Sequence, residues 1–451
     1  MTYHKTIMEY AEKQIPECVS HDTISDELFA KYGVNRGLRD INGKGVLTGL
    51  TNISKIVSFK ELGDGKRQPC DGELWYRGYN VRDLVGALAG PGKRFGFERT
   101  AYLLLFGELP NEEQETDFFK HLAKSRSLPT NFTRDVIMKA PGSDIMSSMT
   151  RSILTLASYD PEALSSTLAD NLRQCIMLIA TFPMLAAYGY HAYNHYENNA
   201  SMYIHRPMPR KSTAENLLRM LRPDGNYTQT EAEVLDVALM LHMEHGGGNN
   251  STFTTRVVTS SGADTYATMA AAMSSLKGPR HGGANIKVME MMDDIRDHVQ
   301  NYEDEDAIRK YLTKMIRGKA FDGKGLIYGM GHAVYSISDP REQVFKSFVT
   351  RLAEEKGRCD ELMLYNNIEK IAPEIIAAER KIYKGVSPNV DFYSGFVYSM
   401  LGIPVELYTP LFAIARIVGW SAHRLEELVG NGKIIRPAYM SIMKERRLGT
   451  K

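Results

Sequence analysis

Four segments of this chain set histidine, arginine or aspartate beside glycine, asparagine and proline, as at helix ends that meet small anions or carbonyls. The first is His242-Met-Glu-His245-Gly-Gly-Gly-Asn249-Asn250-Ser251. Glycines stop one helix, and Asn or Ser opens the next near Ser251. His245 therefore sits at a junction where a ligand could fit. The plainer role, favoured by these residues alone, sets it against helix-end carbonyls. Zinc between His242 and His245 fits the spacing, without the third ligand of a metalloprotease-type motif.

The second segment is Gly278-Pro279-Arg280-His281-Gly282-Gly283-Ala284-Asn285. It places His281 just before a helix N-terminus, where the dipole disfavours imidazolium and a neutral, donating ring is expected. A histidine packed under a turn is the equal alternative. The third is Gly325-Leu-Ile-Tyr-Gly329-Met-Gly331-His332, leading to Asp339-Pro340-Arg341-Glu342. Asp339 reads as N-cap, Pro340 as N1 and Glu342 as N3, close to a capping box. Arg341 then falls in the first turn, where a cation opposes the dipole. Either it waits for a carboxylate, or it pairs with a surface acid. The fourth is Pro388-Asn389-Val390-Asp391, opening a helix to about Leu401. Alone, Asp391 reads as a cap. Arg416 interrupts an apolar stretch and needs a partner if buried. Arg436, before Pro437, is extended; its usual fate is a solvated surface.

The elements that must carry these groups are mostly helical. Val288, Met292, Ile295 and Val299 make an apolar stripe among charged residues. Glu231 to His245 forms another helix, ended by glycines. Strand character is confined to Gly45–Tyr79, with Val46, Leu47 and Ile56-Val57-Ser58-Phe59, enough for a small hairpin or two. The 23 methionines fall largely on helices, as core filling. Cys175 to Tyr193 is long enough to span a bilayer, but Thr181, Pro183, Gly189 and His191 make it a buried helix instead, lying between subunits.

Bulk properties narrow the class. The 451 residues favour two domains. The 55 Lys+Arg nearly cancel the 54 Asp+Glu, so no footprint for nucleic acid or an anionic membrane exists. Cys18, Cys70, Cys175 and Cys359 form no C-x-x-C pair, which suits reduced thiols in the cytoplasm. Met1–Ser25 has neither the apolar core of a secretory signal nor the acid-poor character of a transit peptide.

Taken in order, the segments resemble the citrate synthase family: His245-Gly-Gly-Gly-Asn-Asn-Ser, Gly278 to Asn285, Gly329-Met-Gly331-His332-Ala-Val, Asp339-Pro340-Arg341, Pro388-Asn389-Val390-Asp391, Arg416 and Arg436-Pro437. Tyr76-Arg77-Gly78-Tyr79 and Leu103 to Pro110 also match, so the resemblance runs from about Gly45 to the C-terminus. Each piece is weak, and their common order is specific. The resemblance implies an all-α, two-domain helical fold with a minor β-hairpin near the N-terminus. The large, dimer-forming domain would be 1–283 with 403–451, and the small, closing domain 284–402.

It also implies an acyltransferase of the tricarboxylic acid cycle that joins acetyl-CoA to oxaloacetate and hydrolyses the thioester. Asp391 would be the base, His281 the donor to the thioester oxygen, and His332 the group polarising the ketone. His245, Arg341 and Arg416 would bind oxaloacetate, with Arg436 shared across a homodimer. Lys324, Gly325, Leu326, Gly329 and Gly331 would meet CoA. No metal and no tightly bound cofactor is implied. One departure stands out: many members carry an acid directly after the residue His245 matches, whereas here Gly246 follows and Glu244 precedes. Three rivals remain. One is a 2-methylcitrate synthase using propionyl-CoA, separated by a methylene worth about 1 to 3 kcal/mol. The others are an inactive helical scaffold and a metalloprotein on His242 and His245.

Overall fold

The computed structural model describes residues 2–40, 44–63, 66–331, 334–335, 337–380, 385–430 and 432–445. Residues 1–50 and 51–451 are two separate units. The first carries α1 (Thr2–Asp22) and α2 (Asp26–Lys31), whose N-cap is Ser25. Val46 and Leu47 belong to it as exposed coil, so the expected strand there is absent.

The second unit opens with an antiparallel sheet, β1 (Ser54–Glu61), β2 (Arg67–Tyr76) and β3 (Tyr79–Asn80), in the order β1-β2-β3. Ser54 faces Tyr76, and the register shifts between Val57 and Phe59. Leu74 and Tyr76 alternate inward on β2 and are fully buried. The strand signal at Ile56–Phe59 thus marks a real β1, within one three-stranded sheet.

Helices make up the rest: α3 (Val81–Leu88), α4 (Gly96–Phe106), α5 (Glu112–Ser125), α6 (Ile145–Leu156), α7 (Leu168–Asn198), α8 (Thr213–Leu221), α9 (Gln229–His242), α10 (Asn250–Ser260), α11 (Thr265–Lys277), α12 (Ala284–His298), α13 (Glu305–Ile316), α14 (Pro340–Lys356), α15 (Cys359–Arg380), α16 (Val390–Met400) and α17 (Tyr408–Val429). Local chemistry sets several boundaries. Asn111 with Gln114, Ser212 with Glu215, and Thr228 with Glu231 close capping boxes on α5, α8 and α9. The Thr228 cap starts α9 two residues before the sequence suggests, and α9 ends at His242. His245 therefore stands beyond the helix, not on it.

Two long apolar helices form the centre. In α7, the 31-residue segment from Leu168 to Asn198, Cys175 and Leu178–Gly189 are all buried. Among the described residues it is the one helix long and apolar enough to cross a membrane, and 83% of its apolar window is buried within the protein. Helix α17 is buried continuously from Tyr408 to Arg424. It packs on α4, α7, α9, α10 and α11. On α12 the expected stripe holds: Val288, Met292 and Ile295 are fully buried and Val299 nearly so.

The start of α16 differs from expectation, and that of α14 meets it except for the capping box. Asn389, not Asp391, caps α16: its side chain accepts from the Asp391 N–H, leaving Asp391 at the second helical position with its carboxyl uncommitted to capping. At α14, Asp339 is the N-cap and Pro340 follows, as expected. Its carboxylate accepts from the Arg341 N–H, and Glu342 closes no capping box.

Candidate active site

Helix α17 carries Arg416 into the interior, where it is 2% exposed. Its Nε donates to the His242 carbonyl at 2.7 Å, the last residue of α9. Its Nη1 is buried and meets no acceptor among the described residues. Burial lowers the pKa of Arg416, and Glu244 partly restores it. A buried guanidinium with an unspent N–H face is costly unless an anion completes it.

Arg341 is the second buried cation, 4% exposed. Its Nε and Nη2 donate to the two oxygens of Asp339 at 3.0 and 2.7 Å. Burial works against its charge, and Asp339 outweighs burial, so its pKa is raised. The expected conflict between this cation and the helix dipole is thereby resolved locally: the cap carboxylate lies between them. The acid partner is buried, not at the surface. Asp339 does a third task, since its Oδ2 also accepts from the Val390 N–H at 3.3 Å. One carboxylate therefore fixes the starts of both α14 and α16.

Asp391 is half-buried at the start of α16. Burial pushes its carboxyl up to about 6, while Arg341 and Arg416 pull it down and Asp339 raises it. A carboxyl in that range is ionised at neutral pH yet basic enough to take a proton.

His281 sits three residues before α12, as expected. Its Nε2 accepts from the Ser251 N–H at 3.3 Å and lies 3.1 Å from Ser251 Oγ. A ring nitrogen that accepts is unprotonated, so the proton of the neutral ring is on Nδ1. Burial, and after it Arg416, push His281 down to about 4. The ring is thus a neutral donor, with Trp420 Nε1 steadying the same Ser251 hydroxyl at 3.1 Å. An open cavity of about 420 Å³ lies beside it, lined by Asn250, Ser275 and Gly278 through His281.

His245 is buried, edge-on to Tyr335 with ring centres 5.5 Å apart. The carbonyls at the end of α9 are taken by Tyr76, whose hydroxyl lies 3.2 Å from Met240 O and 3.0 Å from Glu244 O. Tyr76 thus shares the place by those carbonyls expected of His245. Gly246 has φ of +87°, and a Cβ there would stand 2.7 Å from Ile56 Cδ1. The positive φ disfavours any side chain at this position, and a Cβ would have to displace the tip of Ile56. Glu244 supplies an acid from the other side. Its Oε1 accepts from Ser54 Oγ at 2.9 Å and from the Gly246 N–H, and lies 3.1 Å from His423 Nε2. Burial opposes its ionisation, but His423, Arg416 and Ser54 hold it at about 2.

His242, the other half of the zinc alternative, hydrogen-bonds Tyr398 Oη through Nε2 at 2.6 Å and stacks on Phe412 at 3.8 Å. Among the described residues no group of three His, Cys, Asp or Glu could hold a metal.

The glycine loop is stitched to the start of α16. Gly331 N–H donates to Ser387 O, Asn389 N–H to Gly329 O, and Asn389 Nδ2 to Gly331 O, at 2.7 to 2.9 Å. Gly329 has φ of +79°, and a Cβ would press on Phe392 and Val288. Gly325 accepts from Arg380, Leu326 is exposed, and Lys324 lies 3.9 Å from Asp322. His332 lies outside the described residues. Arg436 is exposed on the coil after α17, away from the other arginines' burial; Ile435 N–H ties that coil to Ser260 Oγ.

The chain thus brings His281, Asp391, Arg341 and Arg416 into one electrostatic neighbourhood, and sets His245 against Tyr335, which itself feels Arg341. The residues missed in the sequence are Asp339 beyond its cap, Asn389, Tyr76 and Ser251. Asp339, Asn389 and Ser251 carried a signal as residues at helix starts, and Tyr76 as part of a motif resembling the family.

A family profile described as "Citrate synthase, C-terminal domain" matches residues 38–438. The chain belongs to the citrate synthase family. A citrate synthase of Synechocystis sp. is 33% identical over 383 residues, covering 82% of this chain and 85% of that protein. A citrate synthase of Deinococcus radiodurans is 35% identical, over 76% of this chain and 84% of its own. A 2-methylcitrate synthase of Corynebacterium glutamicum is 33% identical, over 87% and 92%. Among solved structures, citrate synthase from Thermoplasma acidophilum, a ternary complex with carboxymethyl coenzyme A and oxaloacetate, superposes with a TM-score of 0.74 at 25% identity, over 92% of this chain and 98% of that one. The Pyrobaculum aerophilum enzyme gives 0.74 at 28% identity, over 91% and 94%. The all-α architecture is the family's, and the chemistry is citrate-synthase chemistry, in which an acyl group becomes an alkyl group on transfer.

Proposed function

We propose that the chain condenses acetyl-CoA with oxaloacetate and hydrolyses the resulting citryl thioester to citrate and CoA. Asp391 takes a proton from the acetyl methyl. His281 Nδ1–H donates to the thioester oxygen as the enol or enolate forms. His332, by family resemblance, polarises the ketone and protonates its oxygen as the carbon nucleophile attacks. Arg341, Arg416 and His245 bind the dicarboxylate, joined by the partner subunit's Arg436. The loop from Lys324 to Gly331, with Gly325, Leu326 and Gly329, receives CoA. CoA arrives as co-substrate, with no tightly bound cofactor.

The observation that carries this reading is the pairing of an Asp391 carboxyl raised to about 6 with two buried guanidinia that pull it down. A dicarboxylate bound to those cations offsets their field and strengthens the base only after the first substrate is in place. The Thermoplasma complex, holding both a CoA analogue and oxaloacetate, supports the same pair of ligands here. Residues 284–402 would form the small domain that closes on 1–283 and 403–451, since Asp391 and Arg341 come from the former and His281, His245 and Arg416 from the latter. Exposed Ile434, Tyr439, Met440 and Met443 around Arg436 suit a tail that covers a second copy in a cytoplasmic homodimer.

The test is free-thiol release from purified protein with oxaloacetate and either acetyl-CoA or propionyl-CoA. Release favouring acetyl-CoA supports the reading. A preference for propionyl-CoA moves it to 2-methylcitrate synthesis, the reading favoured by the Corynebacterium relative. No release from folded protein leaves the scaffold alternative.

A further inference from the structure

Glu342 follows Arg341 in the first turn of α14, yet the chemistry above leaves it unused. It is 3% exposed, and its Oε1 is buried without a donor among the described residues. An acid at N3 ordinarily reaches back to its cap, and this one does not. Its surroundings are acidic. From α15, Glu369 accepts from Lys346 Nζ and from Tyr393 Oη. Tyr393 stands two residues after Asp391 on α16, and its hydroxyl also lies 3.0 Å from Asn366 Oδ1. Lys346 and Tyr393 thus serve Glu369, and Oε1 of Glu342 is left with no donor.

A buried, ionised carboxylate draws several donors, whereas a protonated one brings its own. Burial, then Glu369, push Glu342 up to about 8; Lys346 and Arg82 pull the other way, and Asp339 adds to the rise. The charged and titratable groups around it are therefore Glu369 on α15, Tyr393 on α16, Arg82 on α3, and Asp339, Arg341 and Lys346 on its own segment. On α9, Glu233 is engaged by Arg351, nine residues farther along α14. On β2, Asp71 accepts from Ser338 Oγ, just before the α14 cap.

We infer that Glu342 is a positioning residue of the dicarboxylate site: as a neutral carboxylic acid it lets the first turn of α14, and with it Arg341, pack against Glu369 and Tyr393. Ionised, it sets a buried negative charge beside part-buried Glu369 and loosens that turn. The inference rests on the proposed role of Arg341 in binding oxaloacetate.

The experiment is calorimetric titration of oxaloacetate into the full-length protein from pH 7 to 9, for wild type, Glu342→Gln and Lys346→Met. Thermal melts are run in parallel at pH 5 and 8.5. Wild-type affinity should weaken about fivefold with a midpoint near 8, while Glu342→Gln stays constant. Lys346→Met, a substitution at a part-exposed site, should move that midpoint upward, because the cation favours ionised Glu342. The Tm of Glu342→Gln should gain on wild type at pH 8.5 relative to pH 5. Parallel affinity profiles for wild type and Glu342→Gln, or an unmoved midpoint in Lys346→Met, would overturn the inference. Oxaloacetate binding without thioester turnover would sink the proposed reaction while leaving this inference to be decided by the same curves. No oxaloacetate binding at any pH would remove both.

Discussion

Asp391 and Glu244 are both carboxylates next to Arg416, and their environments drive them apart. Glu244, at the α9–α10 junction, receives Ser54 Oγ and the Gly246 N–H and stands against His423, and it is held at about 2. Asp391, at the start of α16, has its cap duty taken by Asn389 and is raised to about 6. The facing charges of His423 and Arg416, with hydrogen bonds from His423 and Ser54, outweigh burial in the first, and burial wins in the second. The strut is held by facing cations and by donors to its Oε1, while its Oε2 meets no donor among the described residues; the proposed base has burial without such support.

Removing each acid in turn separates the two roles most directly. Asp391→Asn keeps the shape and loses the base, so thiol release should fall about 10³-fold or more, roughly 4 kcal/mol, with Tm little changed. Equal loss of Tm and activity would make Asp391 a strut as well. Glu244→Gln removes the charge facing buried His423 and Arg416 and should cost about 3 kcal/mol in denaturant unfolding. A wild-type melting curve with lost activity would reverse the two roles.

Changing pH sharpens the contrast without mutation. Asp391 acts as base only when ionised, so kcat/KM for the thioester should fall up to tenfold per unit below about pH 6. The stability contributed by Glu244, whose folded pKa is depressed, is complete above about 4.5 and is lost only as pH falls towards 2. Between pH 6 and 5, activity should therefore drop while the Glu244 strut remains intact; a loss of fold over the same interval would contradict the assignment. The smallest effect belongs to Asn389→Ala, which removes the cap of α16 at about 1 kcal/mol. It should also free the loop at Gly331 that Asn389 holds, raising KM for the thioester more than it lowers Tm.

Much of this was legible from local pattern. The apolar stripe of α12, the Asp339-Pro340 helix start and the position of His281 before a helix all follow from short-range rules, because caps and periodicity depend on neighbours within a few residues. The order of motifs carried the family. Other features were not legible. Asp391 read as a cap because a helix-start aspartate usually is one, and only the bond from its N–H to Asn389 shows otherwise. His245 read as a group for helix-end carbonyls, which Tyr76 reaches from β2 across more than 160 positions.

The helical class, most helix starts and the inventory of acids, histidines and arginines follow from residue type and near neighbours alone. Which acid is left basic enough for the proposed role is set by long-range packing. That choice depends on burial, on Ser54, His423 and Arg416 arriving from distant elements, and on Ile56 occupying the space beside Gly246. Fields and hydrogen bonds act over a few ångströms, and those ångströms are spanned by the fold and not by the chain.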